Sequence, residues 1–131
     1  MYFSKSVEPF SPKTNGVYAL DLKTGKVSAF AGNGQSCGYA GDGGLAIEAS
    51  FCNISRLASD DQNVYIADQG NFVIRAVNKL TGIVSTIVGT GVKGYTGDDG
   101  PATLARITSV NGLAVNREMG VLFFSSTSRD L

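Results

Sequence analysis

The chain has 131 residues, enough for one domain with a sizeable core, and 43% of them are hydrophobic. Eleven basic and eleven acidic side chains cancel, and without a Lys/Arg cluster the electrostatic footprint of a nucleic-acid binder is missing. No apolar run approaches the roughly 18 residues of a spanning helix, and the absence of histidine removes the usual general base, the Ser/His and Cys/His nucleophile pairs and the commonest zinc ligand.

From Met1 to Pro12 there is no apolar h-region, so no secretory signal is visible. A first strand is expected near 2–4. Residues Val7 to Thr14 then read as an insertion between two strands. Gly16 to Asp21 and Lys26 to Ala31 form a hairpin pattern about a turn at Gly25. The same unit returns 57 positions later, with Ile74 to Asn78 and Ile83 to Val88 about a turn at Gly82. Both glycines are expected to take positive φ.

Between these hairpins lies Gly38-Tyr39-Ala40-Gly41-Asp42-Gly43-Gly44-Leu45-Ala46, and its near-copy is Gly94-Tyr95-Thr96-Gly97-Asp98-Asp99-Gly100-Pro101-Ala102. Two copies of so unusual a loop mean a structural repeat. Gly94, Gly97 and Gly100 are read as structural turn positions. Leu45 to Ala49 and Pro101 to Ala105 each suit one helical turn, with Pro101 at its first position. Cys37 and Cys52 flank the first loop. With no leader in view they read as two unpaired small side chains, a disulfide being the alternative for a secreted protein.

A complete repeat then holds four short strands, near 54–59, 63–67, 72–78 and 83–88. Ile83, Val84, Ile87 and Val88 leave almost no polar side, as in a sheet covered on both faces. Two further strands are expected near 110–115 and 121–125, with Val121-Leu122-Phe123 matching Val64-Tyr65-Ile66 at a spacing of 57. Four-stranded antiparallel units stacked face to face are propeller blades. The fold class expected is therefore all-β, an incomplete β-propeller of about 2.3 repeats (131/57). It divides into a partial blade at 1–31, a linker at 32–53, a full blade at 54–88, a linker at 89–109 and a partial blade at 110–131.

Val64-Tyr65-Ile66-Ala67-Asp68-Gln69-Gly70-Asn71, followed by Ile74-Arg75 and Thr81-Gly82, resembles the NHL repeat. So does the linker Gly-Tyr-x-Gly-Asp-x-Gly-Pro-Ala. The resemblance implies a propeller, commonly six-bladed, in a family that mostly serves as a binding platform in larger proteins. Against that count this chain reads as a fragment. Relatives that are lyases are expected to use histidine at their metal, so the resemblance does not carry that activity here.

The candidate sites are few. Gly89-Thr90-Gly91-Val92-Lys93-Gly94 fits a dinucleotide pattern, but the residues that follow are a poor helix opening, so it is set aside. Asp42, Asp98 and Asp99 sit among glycines as in some calcium loops, yet each loop offers too few carboxylates. They read instead as turn residues capping backbone N–H groups. Asp68 and Asn71 occupy a tight turn and read as an Asx-turn. Arg75 stands among apolar residues and needs a partner such as Asp68. A ligand-facing role for Asp68, Asn71 and Arg75 is the functional alternative. No catalytic residue and no cofactor is indicated.

Two functions are thus carried forward. One is a non-enzymatic binding or scaffold segment whose loops face a protein or glycan partner. The other is a piece of a propeller hydrolase or lyase with a carboxylate-held metal in the central channel. Open blade edges also suggest a homo-oligomer, with the strands near 110–125 joining those near 16–31 of a neighbour.

Overall fold

The computed structural model describes residues 2–6, 15–35 and 37–127. The insertion expected at Val7 to Thr14 lies outside them. Nine strands follow in order: β1 (Tyr2–Ser6), β2 (Asn15–Leu20), β3 (Val27–Ala31), β4 (Ile54–Ser59), β5 (Asn63–Asp68), β6 (Val73–Asn78), β7 (Val84–Val88), β8 (Ser109–Asn116) and β9 (Val121–Thr127). They form three antiparallel sheets with neighbour order β1-β2-β3, β4-β5-β6-β7 and β8-β9. The molecule is all-β: one full four-stranded blade lies between two partial ones. No helix among the described residues is long and apolar enough to cross a membrane.

The centre of the full blade is buried on both faces; of the four residues that suggested this at its last strand, Val84 and Val88 are buried, Ile87 is half-buried and Ile83 is exposed. Val64, Ile66, Val77 and Val84 pack toward the first sheet with Val17 and Ala31. Ala67, Ile74 and Val88 pack toward the third with Val110. In β6 the five residues Val73 to Val77 are all buried. Alternate side chains serve opposite interfaces, as the pleat requires.

The two hairpins share one turn chemistry. Gly25 and Gly82 have φ of 73° and 74°, a region closed to most side chains. The Gly25 N–H donates to the Asp21 carbonyl at 2.7 Å, and the Gly82 N–H to the Asn78 carbonyl at 2.8 Å. Asp21 Oδ1 accepts the N–H groups of Lys23 and Thr24. Asn78 Oδ1 does the same for Leu80 and Thr81. The Thr24 and Lys23 N–H bonds hold the Asp21 carboxyl below its ordinary pKa.

The third sheet departs from the expected register. Leu57 faces Ile66 across β4 and β5, and its counterpart Leu113 faces Phe124 across β8 and β9. Phe124, not Phe123, therefore occupies the place of Ile66. The cause is turn length. Two residues, Asp61 and Gln62, separate the paired Asp60 and Asn63. Four, Arg117 to Gly120, separate the paired Asn116 and Val121. A one-residue slip in a strand exchanges its faces.

The linkers also differ in detail from expectation. The helical turns are single 3₁₀ turns, Ala46–Glu48 and Ala102–Leu104, and Pro101 sits just before the second rather than inside it. Of the three glycines assigned to turns in the second linker, Gly97 has φ of 108°, whereas Gly94 and Gly100 are not left-handed and Asp99 takes φ of 64° instead. Gly94 is required for another reason: a Cβ there would meet Arg106 Cβ at 2.9 Å. Each linker closes back on itself, the Gly44 N–H bonding Gly41 and the Gly100 N–H bonding Gly97.

Candidate functional site

The first linker lies across the full blade and is fastened to it by Arg75. β6 places this residue opposite Ile66 of β5, and its side chain is fully buried. A guanidinium has five N–H donors, and all five are used. Nε–H and one Nη2–H reach Asp42 Oδ1 at 3.1 and 2.9 Å. The other Nη2–H reaches the Ala40 carbonyl at 2.9 Å. Nη1 donates to the Ser50 carbonyl at 2.6 Å and to Asp68 Oδ2 at 3.3 Å. Aromatic rings close the cage, with Phe51 4.4 Å and Tyr39 5.2 Å from the guanidinium carbon.

The carboxylates around this arginine do more than cap turns. Asp42 Oδ2 accepts the Thr86 hydroxyl of β7, and the Thr86 oxygen in turn accepts from the Tyr39 hydroxyl at 2.6 Å. Asp42 thus ties the linker to β6 and β7 together, where a local backbone cap was expected. Asp68 is buried as well, and burial pushes its carboxyl above the ordinary pKa. Bonds from Asn71, the Cys52 N–H and Arg75 pull the other way without cancelling this. Its Oδ1 accepts the Cys52 N–H at 2.7 Å, so it reaches into the linker instead of forming an Asx-turn. Asn71 Nδ2 donates to Asp68 Oδ2 and to the Gly38 carbonyl at 2.8 Å.

Cys37 and Cys52 form a disulfide with an S–S distance of 1.98 Å. This corrects the reading of two unpaired thiols. The bond pins the start of the linker loop to its end. Gly70 lies against it, where a Cβ would come within 2.5 Å of Cys52 Sγ, and the Gly70 N–H bonds the Cys52 carbonyl at 2.7 Å. That close approach explains the glycine.

The three residues Asp68, Asn71 and Arg75 are therefore brought together, beneath the linker they bond. The linker leaves Tyr39 and Leu45 partly exposed. The second linker exposes Tyr95, Asp98, Asp99 and Leu104. Among the described residues no group of three His, Cys, Asp or Glu side chains is placed to hold a metal ion. A cleft of about 720 Å³ lies between the full blade and β8–β9, lined in part by Tyr65, Ala76, Ile87 and Leu122. Arg117 and Asp61 pair at 2.9 Å at its exposed rim. Sequence reasoning missed Tyr39, Phe51 and Thr86. The repetition of the linker tyrosine as Tyr39 and Tyr95 was the one available signal.

A scan of protein-family models finds no match. The chain is similar to Protein SUPPRESSOR OF QUENCHING 1, chloroplastic, of Arabidopsis thaliana, with 30% identity over 125 residues covering 91% of this chain and 12% of that protein. Among solved structures it is similar to an auxiliary nutrient binding protein from Bacteroides thetaiotaomicron, with a TM-score of 0.64, 19% identity, and coverage of 92% of this chain and 32% of that one. A second protein of that bacterium has a TM-score of 0.58 at 21% identity, over 85% of this chain and 27% of that one. The chain thus spans about a third or less of these three proteins, and the structural likeness is one of fold.

Proposed function

We propose that the chain is a binding or scaffold segment of a long-linker NHL-type propeller, organised as a partial blade (1–31), a full blade (54–88) and a partial blade (110–131) joined by the linkers 32–53 and 89–109. The linkers face a protein or glycan partner. The observation that carries this reading is the saturated Arg75. A loop held by four of the arginine's five donor bonds and by a disulfide is ordered before any partner arrives. Less conformational entropy is then lost on binding. Rigid strands that position exposed connections suit recognition. Asp68, Asn71 and Arg75 serve the site by positioning the linker, since Asp68 and Arg75 are buried. Similarity to a nutrient-binding protein agrees with a binding role.

The test is an array of immobilised glycans and peptides probed with the 131-residue protein and with a Leu45→Ala, Ile47→Ala variant in the first linker. Both side chains are exposed, so the variant keeps its melting temperature. The reading expects retained binding that the variant loses by at least about tenfold, as for anchor side chains at interfaces. No retention of the parent protein, or retention that the variant leaves unchanged, overturns it.

A further inference from the structure

The two linkers are built alike, yet only the first is cross-linked. Gly38 and Gly94 donate their N–H groups to the Phe51 and Ile107 carbonyls, each at 3.3 Å. Ala40 bridges Ser50, and Thr96 bridges Arg106. Each linker carries a single 3₁₀ turn. A Cβ on Gly41 would meet Ala49 Cα at 2.7 Å, and one on Gly97 would meet Ala105 Cα at 2.6 Å. Lys93 and Thr108 stand in the second linker where Cys37 and Cys52 stand in the first. The loop therefore takes its shape without a disulfide.

What the bond does hold is the stretch ahead of Arg75's grip. The arginine fastens the linker at Ala40, Asp42 and Ser50. Gly34, Gln35 and Cys37 precede these contacts and are exposed. Among the described residues their one hydrogen bond is local, from the Gln35 N–H to Asn33 Oδ1 at 3.0 Å. Cys37–Cys52 is thus what ties this stretch to the rest of the protein. Directly beyond it, Gly38 accepts from Asn71, and Tyr39 lies over the guanidinium. The two sulfurs differ in access. Cys52 is half-buried with its Sγ against the Gly70 backbone, whereas Cys37 is exposed. Exposed disulfides are the labile and regulatory ones.

We propose that Cys37–Cys52 is a thiol–disulfide exchange site that latches the first linker, and that its reductant is a dithiol. One thiolate of the dithiol attacks the exposed Cys37 Sγ. The S–S bond breaks, and Cys52 leaves as a thiolate that takes up a proton. The second thiolate of the reductant then attacks the mixed disulfide at the reductant's own sulfur. Cys37 departs and is protonated in turn, and the reductant becomes a disulfide. Two electrons and two protons have passed to the protein. The stretch from Gly34 to Tyr39 is then released, while Arg75 keeps its bonds to Ala40, Asp42 and Ser50 and the blade stays folded. Oxidation closes the latch again. The inference stands independently of which ligand the linkers bind.

The test treats the folded 131-residue protein with reduced dithiothreitol, traps free thiols with N-ethylmaleimide and weighs the product. Both cysteines are expected to be trapped. Their rate is expected to scale with dithiothreitol and to stay flat in urea below the unfolding range, because the opening is local. In the reduced protein, amide exchange at Gly38 is expected to speed up by at least about tenfold, given what a crosslink of this length contributes. Gly94, its uncrosslinked counterpart, is expected not to change, and the β-sheet circular dichroism is expected to persist. Cys37→Ser with Cys52→Ser is expected to match the reduced protein at Gly38 and to ignore dithiothreitol. A bond that opens only as urea unfolds the chain overturns the proposal, since it would then be a staple of the fold. Reduction that leaves Gly38 unchanged, or that abolishes the β-sheet signal, overturns it too. So does a response of the serine variant to dithiothreitol, because the effect would not pass through this bond.

Discussion

Arg75 is the residue on which the first linker depends. Replacing it with methionine keeps much of its apolar bulk and removes all five donors. It leaves Asp68 buried with Asn71 and the Cys52 N–H but no cation. Breaking a buried pair in this way costs about 3–5 kcal/mol. The cost depends on pH, and the sign follows from Asp68. Burial already raises its pKa above the ordinary 3.8, so the folded form keeps its proton to a higher pH than the unfolded chain does. The stability from that proton is full below the unfolded value and is lost as pH rises through the folded value. Removing the arginine raises the folded value further. The deficit of Arg75→Met is therefore expected to be largest at neutral pH and to shrink toward about pH 4. Urea unfolding of both proteins at the two pH values measures it. A deficit that grows on acidification would show that Asp68 is not the group left stranded.

At the scale of elements, the strands were legible and their partners across the linkers were not. Turn glycines flanked by apolar runs fix hairpins locally, and Gly25 and Gly82 have the φ their positions suggested. The bond from Arg75 to Asp42 joins residues 33 positions apart, and no local pattern encodes it. The face of β9 was misplaced because turn length decides it, and spacings of 57 and 58 look alike in a short strand. The disulfide was missed because the case for it rested on a leader rather than on geometry. Its removal is the sharpest comparison between the linkers, since Lys93 and Thr108 stand where Cys37 and Cys52 do. A crosslink across about 15 residues contributes about 3 kcal/mol. Cys37→Ser with Cys52→Ser is expected to lower the melting temperature by roughly 10 °C and to speed amide exchange in 38–44 but not in 94–100. An unchanged melting temperature would mean that Arg75 alone holds the first linker.

Across the whole molecule, each blade touches its neighbour through a shared apolar layer, and the first linker is bonded to the blade that follows it. The Val84 N–H bonds the Gly44 carbonyl, and the Gly43 N–H bonds the Val84 carbonyl. The first linker therefore runs as an extra rail along β7. The outer edge of the full blade is covered by chain that precedes it.

The disulfide also decides what happens if that rail is cut. Tyr39 and Leu45 are each 44% exposed, and both lie between Cys37 and Cys52. Chymotrypsin acting at either one divides the backbone inside a covalent ring. The two pieces remain joined through sulfur, and the arginine still grips Ala40, Asp42 and Ser50 on the far side of a cut at Tyr39. Protein cut only at one of these two positions is expected to migrate as one band under denaturing, non-reducing conditions and as two after thiol. It is also expected to keep most of its β-sheet circular dichroism until the thiol is added. Immediate separation without thiol would show that the ring is not closed in solution.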